Sequence, residues 1–371
     1  MENDKNAILI FSGYNERAII AFLRTLKKNK IVDYFIIAKN DEDSIMKTEY
    51  KDKVIYVRKK VELDLDEIFY VINILKTKFN FKKYLIAPST EALNRFMLEK
   101  RQCLEENDCI IPLIDKNTYE QISNKKQFSN LCSMNGIEVP KELDIKNKYF
   151  IPFVAKPIKY YQKSDKKSYS PILIQNEENF KDFINNYNKE YFYFQEFIKG
   201  RSIYLLFYFC KNGQVYKFSQ ENLIQQSQGK SIIAAVNSNF HKNDITNKFV
   251  NLFKKLNYTG MVMIEIRINK ENYYMIEANP RFWGPSQLFV DCNCNFFEVF
   301  LWEYGFIKKE IKFNEPNKEI RYFWSDGIKQ DKLKGNSPVY YKNEINYNEW
   351  IKIDIYNRKD TQQLFNRKEF L

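Results

Sequence analysis

The chain contains 371 residues, of which 44% are hydrophobic and 29% are charged, proportions that are typical of folded globular proteins and exclude a wholly disordered chain. At about 150 residues per domain, this length predicts two or three domains, and no apolar run approaches the roughly 18 to 20 residues that a membrane-spanning helix requires. Lysine and arginine outnumber aspartate and glutamate by 59 to 47, which favours anionic partners, although a low-GC coding bias would give the same excess.

Alternating strand and helix patterns fill the region of about residues 1–115. Short apolar runs predict strands, and the amphipathic segments between them predict helices. Because strands and helices alternate, we expect an α/β fold with a doubly wound parallel sheet. The turn over 12–15 has a single glycine and does not match a dinucleotide-binding fingerprint. The predicted strands cover 7–11, 33–38, 53–57 and 84–87, and the predicted helices cover 16–27, 66–79 and about 90–104.

The pattern changes after a helix predicted over 117–134. Gly136 and Pro140 follow this helix and end it. Beyond residue 149, short strands with few helices between them predict an α+β region with antiparallel sheet. The tail after residue 308 predicts no particular structure. The predicted strands cover 150–155, 191–197, 203–210, 214–219, 232–236, 261–268 and 273–278, and the predicted helices cover 177–186 and 247–256.

Cysteine and histidine usage excludes several kinds of chemistry. The six cysteines form no CxxC pair, so neither a zinc site nor a redox pair is predicted. His241 is the single histidine, and no local signature supports a Ser/His or Cys/His triad around it. The N-terminal segment has no basic region followed by a cleavage site. We therefore expect a cytoplasmic protein with reduced thiols.

The strongest local signal is a predicted hairpin over 260–284, GMVMIEIRINKENYYMIEANPRFWG. If its turn has an odd number of residues, Glu265 faces Glu277 across the ladder. Two facing carboxylates repel each other unless a cation lies between them, and Asn279 offers an amide oxygen on the same side. Carboxylate and amide oxygens suit Mg²⁺ or Mn²⁺.

The alternative interpretation of this hairpin is structural. A turn with an even number of residues would put the two glutamates on opposite faces and remove the argument for a metal. An exposed hairpin decorated with lysine and glutamate would then explain the sequence. Met261, Met263 and Met275 share the predicted glutamate face, which favours a half-buried site. The residues alone leave this choice open.

Three further segments could contribute to an anion site. Arg281 follows Asn279 by two residues, and a guanidinium can bind phosphate or carboxylate oxygens through two hydrogen bonds. Lys156 ends an apolar strand and could deliver one cation to a phosphate. Residues 195–200, QEFIKG, end another strand and could present backbone groups to an adenine edge. Taken singly, each is equally typical of a surface salt bridge or an ordinary strand end.

Together these segments resemble the ATP-grasp superfamily, especially its carbamoyl-phosphate-synthase-like and carboxylate-amine ligase branches. The resemblance covers about residues 1–305 and rests on the order of SNKKQF, FVAKP, QEFIKG, the glutamate hairpin and EANPR. It implies an α/β domain over 1–115, followed by a small lobe over 116–190 and a large lobe over 191–305 that clasp ATP between two antiparallel sheets. We expect residues 306–371 to form an extension that packs on the large lobe.

The resemblance also implies roles for individual residues. Lys125, or alternatively Lys126, and Lys156 would contact nucleotide phosphates. The implied adenine contacts are Gln195, Glu196, Phe197 and Ile198, the implied ligands of Mg²⁺ or Mn²⁺ are Glu265, Glu277 and Asn279, and the implied catalytic residues are Arg281 and Lys156.

The chain departs from the family pattern after Lys156. Many members have a glycine-rich loop over the phosphates there, but this chain has no glycine until Gly200. Lys163, Lys166 or Lys167 could supply positive charge instead. We expect the polar, basic segment over 160–170 to be the lid of the site.

The reaction implied by the resemblance is attack of a substrate carboxylate on the γ-phosphate of ATP, followed by capture of the acylphosphate by an amine or a similar nucleophile. A kinase that stops at a phosphorylated product and a non-catalytic nucleotide sensor are the alternatives. A nucleic-acid partner is not supported, because no nucleic-acid signature is present. We expect small-molecule carboxylate and amine partners, no membrane, and, by the habit of the family, a homodimer.

The substrate pocket is expected at the carboxyl ends of the parallel strands. Its candidate residues are Ser12, Asn15, Ser89, Thr90 and Glu91. Phe282 and Trp283 could wall the same pocket, although aromatic side chains more often pack in the core. Gly229 could shape the acceptor side, and a plain turn explains it equally well. The identity of the carboxylate and of the nucleophile does not follow from the sequence.

Overall fold

The computed structural model describes residues 5–145, 151–159, 161–162, 167–341 and 345–365. Within these ranges, no helix combines the length and the apolar character that crossing a membrane requires. Parts of the predicted lid, namely Tyr160 and residues 163–166 with Lys163 and Lys166, lie outside the described residues.

The N-terminal part is a five-stranded sheet with the order β3-β2-β1-β4-β5, and all of its pairings are parallel. The predicted doubly wound parallel sheet is therefore confirmed. The helix predicted over about 90–104 is instead two helices that meet at Lys100. The elements are β1 (Asn6–Phe11), α1 (Glu16–Lys28), β2 (Tyr34–Ala38), β3 (Val54–Val57), α2 (Leu65–Phe79), β4 (Lys83–Ile86), α3 (Glu91–Glu99), α4 (Arg101–Glu106) and β5 (Cys109–Ile110).

Two helices, α5 (Lys116–Ser123) and α6 (Lys125–Met134), connect this sheet to the rest of the chain. The sequence predicted a single helix here. Asn124 separates the two because its side chain accepts hydrogen bonds from the first backbone N–H groups of α6, which makes it an N-cap. As a result, Lys125 is the first residue of a helix and not an interior one.

The middle of the chain is a three-stranded antiparallel sheet with the order β10-β6-β9. Phenylalanine side chains from this sheet and from α7 form its own small core. The segment over 160–170, which the sequence predicted to be the lid, contains two short strands, β7 and β8, that pair antiparallel. The elements are β6 (Phe153–Pro157), β7 (Tyr161–Gln162), β8 (Lys167–Ser168), β9 (Ile172–Ile174), α7 (Glu177–Asn186) and β10 (Phe192–Glu196).

The largest sheet has seven strands in the order β15-β14-β11-β12-β13-β16, with β17 paired to β12, and it is antiparallel. The tail, for which the sequence predicted no structure, contributes β16 and β17. The elements are β11 (Arg201–Phe209), β12 (Val215–Gln225), β13 (Ile232–Ser238), α8 (Asp244–Lys255), β14 (Gly260–Asn269), β15 (Asn272–Asn279), α9 (Gln287–Asp291), α10 (Phe296–Glu303), β16 (Arg321–Phe323), α11 (Asp326–Leu333), β17 (Val339–Tyr340) and α12 (Tyr347–Trp350).

The large sheet is buried on both faces. One face shares a hydrophobic cluster with α1, which includes Phe22 and Tyr204. The other face packs against α6 and α8 through Phe128 and Phe253. The Asn15 side chain, just after β1, donates hydrogen bonds to the carbonyl oxygens of Ser89, at 2.7 Å, and Phe282, at 3.0 Å. The carboxyl end of the parallel sheet is thereby fixed beside the end of β15.

Candidate functional site

A cavity of about 370 Å³ lies where the parallel sheet, α6 and the large sheet meet. The loop after β1 contributes Asn15, the start of α3 contributes Glu91, the start of α6 contributes Lys125, and the end of β15 contributes Glu277 and Asn279. The fold therefore brings charged residues from distant parts of the chain to one cavity.

The two glutamates of the hairpin are direct cross-strand partners, but not for the reason that the sequence suggested. The turn between β14 and β15 has two residues, Lys270 and Glu271, and an even turn would offset the glutamates. Ile276 is an extra residue between the pairs Ile266 with Met275 and Glu265 with Glu277. This β-bulge restores the alignment that the two-residue turn removes.

The bulge also corrects the predicted position of one methionine. Met261 and Met263 belong to the cluster on the Tyr204 face of the sheet, whereas Met275 belongs to the cluster on the opposite face. A regular ladder with an odd turn would have put all three on the glutamate face. The prediction for Met275 was wrong because it did not include the bulge.

Each of the two carboxylates contacts a cation of the chain itself. Glu265 is 4% exposed, pairs with Arg267 at 2.9 Å and accepts a hydrogen bond from the Ser202 hydroxyl at 3.1 Å. Glu277 pairs with Lys125 and accepts a hydrogen bond from the Asn279 amide at 2.8 Å. Charge compensation makes the close approach of two carboxylates tolerable in a partly buried place.

The donor set fits a hard divalent cation. Glu265 and Glu277 supply facing carboxylates, and Asn279 supplies an amide oxygen beside them. Among the residues that the structure describes, no cluster of three or more histidine, cysteine, aspartate or glutamate side chains could hold a metal. A cation here would therefore complete its shell with oxygens from outside the protein, such as phosphate or water oxygens.

Lys125 faces the cavity, while its neighbour in sequence does not. Burial lowers the pKa of Lys125 to about 8, because desolvation penalises the ammonium more than the charge of Glu265 stabilises it. The Lys126 ammonium instead contacts the Glu142 carboxylate at 2.9 Å. Of the two lysines that the sequence left as alternatives, the structure places Lys125 beside Glu277.

Lys156 lies beneath the same carboxylates. It is 5% exposed, and its ammonium donates a hydrogen bond of 3.1 Å to the carbonyl oxygen of Ile276, the bulged residue. Burial and, to a smaller extent, the nearby charge of Lys125 lower the pKa of Lys156 to about 7, and the charge of Glu265 only partly offsets them. Two lysines with lowered pKa values thus meet near one glutamate pair.

Arg281 lies on the cavity wall just beyond Asn279. One terminal nitrogen donates to the carbonyl oxygen of Phe282 at 2.8 Å. Its Nε is buried and has no hydrogen-bond partner among the residues that the structure describes. An unpaired guanidinium N–H at this position can receive an oxygen of a bound anion.

Residues 195–198 lie away from the cavity. Gln195 is buried and donates to the carbonyl oxygen of Pro140 at 3.0 Å, and Glu196 accepts a hydrogen bond from the backbone of Lys141 at 3.0 Å. None of Gln195, Glu196, Phe197 and Ile198 lines the cavity that contains Lys125. They belong to the end of β10 and the connection to β11, and β10 pairs with the strand that carries Lys156.

The predicted substrate residues divide into two groups. Asn15 and Glu91 line the cavity, as do Trp283 and Gly229. Ser12, Thr90 and Phe282 do not line it: Ser12 donates to the Asp43 carboxylate, Thr90 caps α3, and Phe282 packs against Phe22 in the core. The Ser89 hydroxyl is buried without a partner and also lies off the cavity wall.

Several charged residues near the site were not found by sequence reasoning, namely Arg17, Arg95, Lys230 and Arg267. Arg267 follows Glu265 by two residues, so strand periodicity would have placed it on the glutamate face. Arg17 lines the cavity from the first turn of α1. The sequence could have indicated Arg17 in only one way, as a charged residue next to the buried residues of the amphipathic helix α1.

Comparison with known proteins identifies the domain that contains most of these residues. Residues 122–285 match the family model of the ATP-grasp domain. No curated protein sequence matches the chain significantly.

Solved structures share the fold at low sequence identity. Biotin carboxylase from Campylobacter jejuni has a TM-score of 0.62 at 13% identity, covering 85% of this chain and 74% of its own. N5-carboxyaminoimidazole ribonucleotide synthetase from Thermus thermophilus has a TM-score of 0.60 at 14% identity, with coverages of 85% and 82%. L-amino acid ligase from Bacillus licheniformis has a TM-score of 0.57 at 16% identity, with coverages of 86% and 80%. The similarity extends beyond the matched domain to the parallel sheet.

Proposed function

We propose that this chain, in which residues 122–285 match the ATP-grasp domain, is an ATP- and Mg²⁺-dependent ligase that activates a substrate carboxylate as an acylphosphate. An amine or a similar nucleophile would then displace the phosphate. Two of the proteins that share the fold are a synthetase and an L-amino acid ligase, which supports a ligase over other ATP-dependent reactions.

One observation carries this proposal: the bulge that pairs Glu265 with Glu277 also supplies the carbonyl oxygen that holds Lys156. A cross-strand pair of carboxylates is unfavourable for a sheet by itself. A site that must hold a divalent cation and phosphate oxygens explains why both carboxylates and both lysines converge there.

The residues of the chain have separate tasks in this reaction. Mg²⁺ held by Glu265, Glu277 and Asn279 would neutralise phosphate charge. Lys125 and Lys156 would bind phosphate oxygens, and a bound anion would favour the ammonium forms of both lysines, whose pKa values burial lowers. Arg281 would stabilise the charge that develops on the transferred phosphoryl group through its unpaired N–H.

We further propose that ATP lies between the small and large sheets. Adenine would contact the backbone of Phe197 and Ile198 and the segment of Gln195 and Glu196, which joins β10 to β11. This corresponds to a small lobe over 116–190 and a large lobe over 191–305, preceded by a domain over 1–115 and followed by an extension over 306–371. The cavity beside Asn15 and Glu91 would then receive the acceptor substrate.

The test is release of ADP and phosphate from Mg²⁺-ATP with pools of amino acids and small carboxylic acids. We expect release that depends on a pool and disappears in the Glu277→Ala variant. Mass spectrometry of the product separates a ligated product from a stable phosphorylated one, which would indicate a kinase. Binding of ATP without turnover on any pool would favour a sensor, and no binding of ATP would contradict the whole site. A homodimer and a cytoplasmic location remain predictions.

A further inference from the structure

Arg17 has an uncompensated charge on the cavity wall. It is 9% exposed and lines the cavity. A buried guanidinium is normally paired with a carboxylate, because an isolated buried charge is costly. No carboxylate in the described part of the chain forms an ion pair with Arg17.

The surroundings of Arg17 fix its orientation without neutralising it. Its Nη1 donates to the carbonyl oxygen of Ile232 and to the hydroxyl of Tyr322, both at 2.9 Å. Its guanidinium carbon lies 3.8 Å from the ring centroid of Trp324. Neutral partners thus hold one edge and one face of the group, and a guanidinium held in this way is preorganised for an anion.

The other edge of Arg17 is left open by a glycine. Nη2 makes no hydrogen bond to any described residue, and it lies 2.7 Å from the position that a Cβ would occupy on Gly284. Any side chain at position 284 would therefore crowd this edge. Gly284 lines the same cavity, so the open edge of Arg17 is found at the cavity wall.

Two neighbouring residues also offer donors without acceptors. Within the described part of the chain, the Arg281 Nε and the Trp283 Nε1 are buried without a hydrogen-bond partner, and both residues line the cavity. By contrast, Arg95 on the same wall contacts Glu91 at 2.7 Å and the Ser123 hydroxyl at 3.0 Å. This part of the wall therefore carries several N–H donors that have no acceptor among the described residues, which is the pattern of an anion site.

We propose that Arg17 binds a carboxylate or phosphate group that the acceptor-side substrate carries in addition to its reacting group. This inference rests on the proposed function, because the phosphoryl group at Arg281 and the cation at Asn279 would mark the reacting end of the same cavity. The substrate class is then a small molecule with two anionic groups, such as a dicarboxylic acid or a phosphorylated acid. A simple monocarboxylic acid would leave Arg17 uncompensated.

The first test measures the midpoint of thermal unfolding of the full chain with Mg²⁺ and a non-hydrolysable ATP analogue. The probes are acetate and propionate as monoanions, malonate, succinate and glutarate as dicarboxylates, and phosphoglycolate as a phosphorylated acid. We expect the dicarboxylates or phosphoglycolate to raise the midpoint, and whichever does so identifies the group that Arg17 binds. Equal shifts with monoanions, or no shift with any probe, would overturn the proposal.

The second test repeats the titration on three variants. Arg17→Lys keeps a charge but loses the planar fork, and Gly284→Ala keeps Arg17 but fills its open edge. We expect both to weaken the response to dianions by about tenfold or more. Arg95→Lys is the matched control, because Arg95 is already paired, and we expect its response to change by less than about threefold. An unchanged response in Gly284→Ala would contradict the proposal even if Arg17→Lys failed to fold.

The experiments distinguish a failure of the proposed ligase function from a failure of the Arg17 site. A normal response to dianions without any release of ADP would leave the Arg17 site intact and contradict the ligase. Release of ADP driven by monocarboxylic acids, with a KM that Arg17→Lys does not change, would support the ligase and overturn the Arg17 site.

Discussion

Glu265 and Glu277 face each other across β14 and β15 even though the turn between these strands contains only two residues. The extra residue Ile276 makes this alignment, and its carbonyl oxygen accepts a hydrogen bond from Lys156 at 3.1 Å. One local irregularity therefore sets the spacing of the two carboxylates and the position of a lysine from another sheet. We expect the function of the site to be sensitive to substitution of Glu265, Glu277 and Lys156.

Glu277→Gln should abolish a metal-dependent reaction while preserving the fold. The substitution keeps the shape of the side chain but removes the charge that would bind the cation and that pairs with Lys125. We expect a loss of activity of roughly a hundredfold or more and about tenfold weaker binding of Mn²⁺ in the presence of ADP. Electron paramagnetic resonance of free Mn²⁺ measures the binding directly.

The matched control for this variant is Glu271→Gln. Glu271 is exposed and lies in the turn of the same hairpin, so its charge should matter little. Equal effects of the two substitutions on Mn²⁺ binding would refute the assignment of Glu277 as a metal ligand.

Binding of an ATP analogue should weaken as the pH rises. In the free protein the pKa of Lys156 is about 7 and that of Lys125 is about 8, so both lysines lose protons in this range. Bound phosphate stabilises the ammonium forms and raises both pKa values, which means that binding takes up protons. The association constant should fall by about tenfold per pH unit above pH 7, and more steeply above pH 8.

Isothermal titration calorimetry at pH 8 in buffers of different ionisation enthalpy counts these protons. We expect net proton uptake in the wild-type protein and in Lys126→Ala, because Lys126 contacts Glu142 and not the cavity. An affinity that does not change between pH 7 and pH 8 would show that neither lysine binds phosphate.

The local elements of this fold were predictable, but the long-range details of the site were not. The strand with Ala7 and the helix with Phe22 follow from hydrophobic periodicity, which is a property of neighbouring residues. The bulge at Ile276 contacts Lys156, which is 120 residues away, and no local pattern contains that contact. The position of Arg17 could not be predicted for the same reason, because its partners Tyr322 and Trp324 come from the tail of the chain.

The tail itself was unpredictable for a simpler reason. Its strands β16 and β17 have three and two residues, which is too short for a strand period to be recognised. They exist because the exposed edges of β13 and β12 offer hydrogen-bonding partners. Their structure is imposed by the sheet and not by their own residues.

Lys156→Met should stabilise the ligand-free protein while abolishing its affinity for ATP. The pKa of Lys156 is about 7 in the folded protein and about 10.4 in an unfolded chain. Between these values the unfolded chain binds more protons, so the free energy of unfolding rises with pH and the cost of the buried lysine is largest at low pH. A methionine removes this cost and loses one hydrogen bond, to Ile276.

We expect Lys156→Met to raise the free energy of unfolding at pH 7 by about 1 to 2 kcal/mol, as measured by urea denaturation. The gain over wild type should shrink toward pH 10, where the wild-type lysine is neutral. A gain that is the same at both pH values would mean that packing, and not charge, explains it. Lys126→Met is the control and should give no such pH dependence.

Gly200→Ala should separate the two sheets between which we propose that ATP binds. Gly200 lies between β10 of the small sheet and β11 of the large sheet, and a Cβ at this position would overlap the carbonyl oxygen of Ile268 in β14. A backbone oxygen cannot rotate away as a side chain can. The connection would therefore have to move away from β14, which would shift the segment of Phe197 and Ile198.

The matched variant is Gly213→Ala, in the turn between β11 and β12, where no atom lies within 4 Å of the added Cβ. Both glycines have a positive φ, 155° for Gly200 and 86° for Gly213, so an alanine strains the backbone at either position. Only at Gly200 does the added Cβ also overlap another atom. We expect a loss of about 1 kcal/mol in Gly213→Ala and at least about twice that in Gly200→Ala, with weaker binding of the ATP analogue only in the latter. Equal losses of stability and an unchanged affinity in Gly200→Ala would argue that the connection between the sheets has no part in binding adenine.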